Sequence, residues 1–398
     1  MNICTLLVFS ALLAVCTPLA AQPSISLFPS IPSPAPLGTP VRWTATVSGA
    51  DPATLRYRFR VRRAGDDFRT VVDYGPKPAL DWSPVEAEGS YEVEVAAKDN
   101  NGPVAQASAA YELTQRVTDE TPVIGPSAHP LVFLYSAPAC PAESRMRVQF
   151  RSADGYQQRT PFKPCGPGHS TNFYLAGLRP ETQYEIHHTI ATGTASADGP
   201  VLGLSTPGVD FRTTAMSTLS PSVIPDANGI LLQSKVNGTS MATDLNGNLV
   251  WYAPGDVTLL TRPVAGGTFL AIGEDGNQDT AHQIVREFDL AGFTLAETNA
   301  ERVNEQLAQM GMHSITSFHH EARKLPGGNY LVLAGTERLL TDVQGPGTVD
   351  VLGDMILVLD PNLQVLWAWN AFDHLDAGRR LWAKPAPFPP VFLARRFT

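Results

Sequence analysis

The sequence predicts an all-β fold, with two N-terminal β-sandwich domains followed by a partial β-propeller of about three blades. Three observations support this class. The chain has 32 Gly and 34 Pro but few long runs of Ala, Glu, Lys and Leu, which favours turns and short strands over helices. Segments near the N-terminus alternate strictly between apolar and charged residues, and a strand–turn–strand unit recurs after residue 220. A length of 398 residues also predicts two or three domains.

Composition and charge exclude several classes of partner. A hydrophobic content of 43% with 17% charged residues is typical of a globular protein with an ample core. The net charge is −9 and the sequence pI is about 5.5. Nucleic acids and anionic membranes attract clustered Lys and Arg, so neither is expected as a main partner.

The N-terminus, MNICTLLVFSALLAVCTPLAAQ, has the pattern of a secretory signal peptide. Residues 6–15 form an apolar stretch that is too short to span a bilayer. We predict a signal peptide over residues 1–21 with cleavage after Ala21, although no Lys or Arg precedes the apolar stretch. A lipoprotein signal ending at Cys16 is the alternative, but Val15 stands where a small residue is expected. The predicted location is periplasmic or secreted, without membrane attachment after cleavage.

Cysteine usage agrees with export. After removal of the signal peptide the chain keeps only Cys140 and Cys165. An even pair in an oxidising compartment indicates one disulfide. A metal site built on the two cysteines is the alternative, but neither has a close His or Cys partner in the sequence.

The first sandwich is predicted over residues 22–115. In TLRYRFRV the apolar residues face one way and the arginines the other, and SYEVEVAAKDN repeats this arrangement with glutamates. A period of two with one charged face is typical of a half-buried antiparallel strand. Several such strands separated by turns predict an immunoglobulin-like or fibronectin III-like sandwich.

A second sandwich is predicted over residues 119–213. Its stretch LAGLRPETQYEI resembles the corner that enters a late strand of fibronectin type III domains. The residues that carry this resemblance are Leu178, Pro180, Thr182 and Tyr184. The resemblance concerns the fold only. His187 and His188 follow on the same strand and are interpreted as structural or surface residues.

A partial propeller is predicted over residues 220–380. Three stretches each contain a strand, an Asp followed by a turn, and a second strand: MATDLNGNLVWYA (241–253), VREFDLAGFTLAE (285–297) and ILVLDPNLQVLWAWN (356–370). Two Gly-Gly turns between them lead into apolar strands. Repeated units of this type are typical of propeller blades. A short helix is possible within residues 298–316.

The adjacent residues His319 and His320 raise the question of a site. Successive side chains of a strand point to opposite faces, so we expect only one of the two to line a site. Together with His313 and Glu321 they lack any recognised metal-ligand spacing, and no metal site is predicted. The sequence also lacks a Gly-rich phosphate loop and a G-x-S-x-G elbow. No cofactor is predicted.

The stretch F-H-H-E-x-x-x-L-P-G-G-N-Y-L-V-L-A, with ATDLNGNLVWY upstream and WAWNAFDHLD downstream, resembles the bacterial arylsulfate sulfotransferases over residues 220–380. The resemblance implies a six-bladed propeller. It implies transfer of a sulfuryl group from a phenolic sulfate to a phenol through a transient sulfohistidine, without a nucleotide donor. Phenolic sulfates and phenols would be the small-molecule partners.

The resemblance also implies roles for particular residues. His320 would bind sulfate or act as an acid or base, and Arg338 would contact the sulfate. The other candidates for substrate binding are His319, Arg262, His282 and His374. Of these, we expect His374 to help fix a blade rather than to take part in catalysis. Sulfuryl transfer spreads negative charge over three oxygens, which cationic and hydrogen-bonding side chains stabilise.

One expected element is missing. The family's nucleophilic histidine lies in a later D-W-x-H-x-N motif, which this sequence does not contain. After Arg380 an atypical tail, residues 381–398, reads LWAKPAPFPPVFLARRFT without a blade pattern. We therefore expect a C-terminally truncated sulfotransferase that is inactive alone, with about three of six blades. The alternatives are a secreted non-catalytic binding or adhesion protein and a different propeller enzyme, such as a quinone-dependent dehydrogenase. The oligomeric state is not predicted.

Overall fold

A computed structural model confirms the all-β class. It describes residues 23–166, 168–211, 228–234, 238–255, 257–274, 282–343 and 345–377. The predicted signal peptide and the tail after Arg380 lie outside the described residues. The helices of the described residues include none that is long and apolar enough to cross a membrane.

The N-terminal domain is built from eight strands in two facing sheets. One sheet has the order β1-β3-β6, and the other contains β2-β8-β7-β4-β5. A 3-10 helix, Pro52–Thr54, precedes β4. The strands are β1 Ser24–Pro29, β2 Ala35–Pro36, β3 Val41–Ser48, β4 Arg56–Arg63, β5 Arg69–Gly75, β6 Ala79–Trp82, β7 Gly89–Asp99 and β8 Gly102–Thr114.

The alternation in β4 produces the two faces that its sequence predicts. Tyr57 and Phe59 are buried in a core that includes Trp43. The arginines point the other way, where Arg60 Nε donates to Glu94 of β7 over 2.7 Å. The apolar period of two therefore fixes which face of the sheet meets the core.

The second domain is also a two-sheet sandwich. The disulfide Cys140–Cys165 (Cα–Cα 5.5 Å) lies in it, and Tyr184 Oη accepts from Arg179 N–H over 2.8 Å. This bond ties the corner before β15 to its strand, as in a tyrosine corner. One sheet has the order β14-β10-β9 and the other β12-β11-β15-β16, with β13 on β11 and β17 on β15. The strands are β9 Val123–Pro126, β10 Phe133–Ala137, β11 Arg145–Ser152, β12 Gln157–Arg159, β13 Lys163–Pro164, β14 Thr171–Leu175, β15 Gln183–Thr192, β16 Ala195–Asp198 and β17 Leu202–Ser205.

The third region contains three consecutive antiparallel meanders, which we name the first, second and third blades. The described strands of the first blade are β18 Ile230–Gln233, β19 Met241–Asp244 and β20 Leu249–Tyr252. The second has β21 Val257–Val264, β22 Thr268–Glu274, β23 Gln283–Asp289 and β24 Thr294–Asn299. The third has β25 Ser317–Lys324, β26 Tyr330–Thr341, β27 Thr348–Leu359 and β28 Val365–Asn370, followed by the short helix α2, Ala371–His374.

The repeated Asp of each blade has one structural role. Asp244 Oδ1 accepts the backbone N–H groups of the residues two and four positions later, both over 2.9 Å. Asp289 and Asp360 make the same pair of bonds at 2.8–2.9 Å. A short carboxylate that satisfies two turn N–H groups stabilises the reversal of the chain, which explains the repeat in physical terms.

Helix α1, Ala300–Gln309, links the second blade to the third and lies within residues 298–316, where the sequence allows a short helix. Asn299 caps it by accepting from Arg302 N–H. Val303 and Leu307 are buried in a core shared by the second and third blades. The apolar stripe of the helix therefore closes the end of this core.

The first sandwich and the second blade form one continuous sheet. Strand β5 pairs in parallel with β24, so the order is β2-β8-β7-β4-β5-β24-β23-β22-β21. Beside this joint, Arg302 of α1 donates to the fully buried Asp73 over 2.9 Å. Arg56 pairs with Glu301 at 2.9 Å. Backbone pairing between β5 and β24 and the two ion pairs therefore attach the first sandwich to the blades.

Candidate functional site

The two histidines lie in an irregular part of β25. Phe318 pairs with Ala334 and Ala322 pairs with Val332, so residues 319–321 stand opposite a single residue of β26. A bulge of this kind redirects side chains. The regular ladder on which strict alternation depends is interrupted here, so whether only one of the two histidines lines a site stays a prediction. The two ring centroids are 6.4 Å apart.

His319 is half-buried against the neighbouring strands of the third blade. Its Nε2 lies 3.7 Å from Asp354 Oδ1 of β27. A Cβ atom placed on Gly335 of β26 would come within 3.1 Å of the same nitrogen. The missing side chain at Gly335 therefore leaves the space in which the imidazole lies.

His320 is exposed, and its surroundings are set by its neighbours. The next residue, Glu321, accepts from Arg262 of β21 and from Arg323 Nε, the latter over 3.0 Å. Burial acts to raise the pKa of Glu321, but hydrogen bonds and charge from Arg323 and Arg262 outweigh it and lower the pKa. The carboxylate remains charged and bonds two guanidinium groups, one position along the chain from His320. We name Arg262, His320, Glu321 and Arg323 the inner-strand cluster, because they lie on the first strand of the second and third blades.

Arg338 lies elsewhere in the third blade. Its Nη2 donates to Asp373 of α2 over 2.8 Å, and its guanidinium lies 5.2 Å from the ring centroid of Phe372. Strands β26 and β27 pair without a register shift, so Arg338, three positions after Gly335, points to the face opposite His319. Within the described ranges, no hydrogen bond or ion pair joins Arg338 to His320.

The two remaining candidates also occupy separate places. The ring of His374 stacks on Trp369 with centroids 5.2 Å apart and planes within 6°. This contact matches a role in fixing the blade. His282 precedes β23 and is half-buried. The adjacent Gln283 accepts from Phe318 N–H over 2.8 Å, which places the start of β23 beside the start of β25.

The contacts therefore join one predicted residue, Arg262, to Glu321, the neighbour of His320 in the chain, and they bring in Glu321 and Arg323, which sequence reasoning did not assign. Glu321 and Arg323 were missed because the bulge and the approach of β21 to β25 depend on the tertiary fold. The Glu of F-H-H-E was the available signal. Two arginine side chains held together in this way can bind an oxyanion and stabilise charge that develops on it. Among the described residues, no three His, Cys, Asp or Glu side chains group in a way that could hold a metal ion.

The fold and the inner-strand cluster define a multi-domain β protein with a candidate oxyanion site in its blade region. Residues 208–395, somewhat less than half of the chain, match the family model described as arylsulfotransferase (ASST). The match supports a sulfotransferase-like function for this region. It runs past Arg380 and includes most of the tail that the sequence pattern separates from the blades.

Three solved structures from chicken are similar to about half of the chain. The interferon gamma receptor alpha chain is 12% identical and has a TM-score of 0.19 over 45% of this chain and 98% of its own. The FN1–FN3 domains of CNTN1 are 15% identical, with a TM-score of 0.18 over 45% and 64%. A two-domain fibronectin type III segment of tenascin is 14% identical, with a TM-score of 0.20 over 46% and 99%. Scores this low support no conclusion about this chain. No curated protein matches it.

Proposed function

We propose that this chain is an exported arylsulfate sulfotransferase-like protein that binds phenolic sulfates at the inner-strand cluster. The observation that carries the proposal is that Arg262 and Arg323 both bond to Glu321, the residue that directly follows the exposed His320. The family match over residues 208–395 supports the sulfotransferase-like part of the proposal.

The roles follow from the chemistry of a sulfate monoester. Its terminal oxygens accept hydrogen bonds, and a guanidinium group offers paired donors for them. His320 would hydrogen-bond to the sulfate or exchange a proton with the phenolic oxygen. Glu321 orients Arg262 and Arg323 but repels an anion, so the cluster has one net positive charge while His320 is neutral.

We further propose that the chain alone does not complete sulfuryl transfer. In a two-step transfer a histidine nitrogen attacks sulfur, the phenol leaves, and a second phenol takes the group. The sequence has no D-W-x-H-x-N motif to supply that nitrogen. His320 would act as a binding residue or an acid–base residue. Arg338, which bonds to Asp373, would contact a sulfate only at a separate site on the other face of the third blade.

Binding and turnover of phenyl sulfate test the two parts separately. We expect the full chain to bind phenyl sulfate in an NMR titration, and Arg262→Ala and His320→Ala each to weaken binding about tenfold, since a hydrogen bond to a charged group contributes about 1.5–3 kcal/mol. Arg42→Ala is the matched control, because this arginine is exposed on the first sandwich. Sulfate transfer to an added phenol should be undetectable.

Three outcomes would contradict parts of this proposal. Clear turnover would contradict the absence of a nucleophile. Equal binding by all variants would remove the inner-strand cluster from the proposal. Loss of binding in Arg338→Ala alone would move the site to the other face of the third blade.

A secreted, non-catalytic binding protein is the second candidate. A polar groove on the second sandwich, distant in sequence from the inner-strand cluster, favours it. That groove is a ligand-sized concavity whether or not the blade region binds a sulfate.

A further inference from the structure

The second sandwich carries an open groove of about 550 Å³ on the sheet formed by β12, β11 and β15. This volume lies within the range of about 300–1,000 Å³ that small-molecule sites occupy. The groove is lined mainly by long polar side chains rather than by the apolar residues that are typical of drug-like pockets.

Strand register builds the groove as two rows of three side chains. Gln149 of β11 is paired with Arg159 of β12 and with His187 of β15. Arg151 is paired in the same way with Gln157 and Glu185. Paired residues of antiparallel strands share a face, and positions two apart on one strand share it as well. All six side chains therefore project from one face of the sheet, and we name them the sandwich groove.

Two guanidinium groups of this set have no side-chain partner among the residues that the structure describes. Arg151 and Arg159 are exposed, and within the described part of the chain neither forms an ion pair or hydrogen bond through its side chain. Nearby arginines are engaged differently. Arg145 lies over the ring of Phe162 at 4.7 Å, and Arg179 pairs with Asp154 at 2.6 Å.

The neutral members of the sandwich groove are partly fixed in position. Gln149 Nε2 donates to His187 Nε2 over 2.6 Å and to Thr189 Oγ1 over 3.3 Å. These contacts orient an amide and an imidazole in the middle of the groove. The amides of Gln149 and Gln157 can each donate and accept, which suits hydroxyl groups.

We propose that the sandwich groove binds a hydroxyl-rich anion of about disaccharide size that carries a carboxylate or a sulfate ester. Arg151 and Arg159 bind the anionic group, since the guanidinium fork matches the oxygens of either group. The glutamines and His187 bind hydroxyl groups, and Glu185 accepts from a hydroxyl. The proposal is independent of the sulfotransferase-like function of the blades.

Calorimetric titration of the full chain at low salt tests this with three probes: a uronate-containing disaccharide, a monosulfated disaccharide and a neutral disaccharide of the same size. We expect one or both anionic probes to bind and the neutral probe to bind at least tenfold more weakly. A preference between the first two identifies the anionic group. Arg151→Ala and Arg159→Ala should each weaken anion binding about tenfold, and added salt should weaken it further.

Arg145→Ala is the matched control, since this arginine lies on the same strand and face but outside the groove. It should leave affinity unchanged, and thermal unfolding of all variants shows whether each is folded. Failure of both anionic probes to bind at millimolar concentration overturns the proposal, as does equal binding of the neutral probe. A loss of binding in His320→Ala with no loss in Arg151→Ala or Arg159→Ala would overturn the proposal and place the ligand at the inner-strand cluster.

Discussion

The dipeptide His-His occurs twice in the chain, and the two copies have different structures. His187 and His188 lie in β15, which pairs with β11 in an unbroken register. His188 is buried, with Nδ1 2.7 Å from the hydroxyl of Tyr135, while His187 faces the sandwich groove. His319 and His320 lie where β25 bulges. Neither of these two is buried.

The comparison shows that the regularity of the strand pairing, rather than the His-His dipeptide itself, determines the environment of each imidazole ring. In a regular ladder adjacent rings must separate, one into the core and one to the surface. In a bulge that rule no longer assigns the two faces, and here both His319 and His320 remain outside the core. The regular arrangement in β15 contributes mainly to stability, whereas the bulge in β25 leaves an imidazole exposed. Substitutions and pH changes test this contrast between the two histidine pairs.

The largest expected effect is on stability at His188. His188→Ala would leave a cavity and an unpaired Tyr135 hydroxyl, and we expect the free energy of unfolding to fall by about 3–4 kcal/mol. Gly199→Ala should also be destabilising, since a Cβ atom there would come within 2.2 Å of the His188 ring. Urea unfolding measures both. His187→Ala is the control, and a loss as large as that of His188→Ala would remove the contrast within the first pair.

A second expected effect is a loss of stability in acid, caused by histidines of the second sandwich. Burial lowers the pKa of His129 to about 4, although its hydrogen bond to the Tyr252 carbonyl opposes this. Burial also lowers the pKa of His188, as does the charge of His187, while Asp198 acts to raise it. A depressed folded-state pKa contributes stability above the unfolded value near 6.5 that is lost as pH falls through the folded value.

Between pH 6.5 and 4, His129 alone should lower the free energy of unfolding by about 2–3 kcal/mol. Urea unfolding at a series of pH values measures this slope. His129→Gln and His188→Ala should each flatten it, whereas His320→Ala should leave it unchanged. A slope that is unaltered in both sandwich variants would show that other groups control acid sensitivity.

The smallest expected effect is on stability at His320. Because the ring is exposed and contacts only His319 among the described residues, His320→Ala should change the free energy of unfolding by no more than about 0.5 kcal/mol. Urea unfolding in the same buffer as for His188→Ala gives the comparison. A loss above about 1 kcal/mol would assign His320 a structural role and weaken its place in the inner-strand cluster.

The sequence predicts the fold more completely than the site, and the reason is the range of the interactions. Alternation in β4 and the Asp turns at Asp244, Asp289 and Asp360 depend on neighbours within a few residues, so pattern alone identifies them. The contact between Arg262 and Glu321 joins residues of different blades across a bulge. The positions of Arg262 and Glu321 in the sequence give no indication that the two side chains are in contact.

The joint between β5 and β24 has a consequence for how the chain can be divided. A strand at the edge of a sheet exposes unpaired backbone groups, and here the first sandwich covers the edge of the second blade. Cutting the chain between its first two domains would uncover β24 and leave Arg302 without the buried carboxylate of Asp73. The N-terminal domain therefore shields the edge strand β24 from other chains. We expect blades expressed without this domain to self-associate rather than remain dispersed in solution.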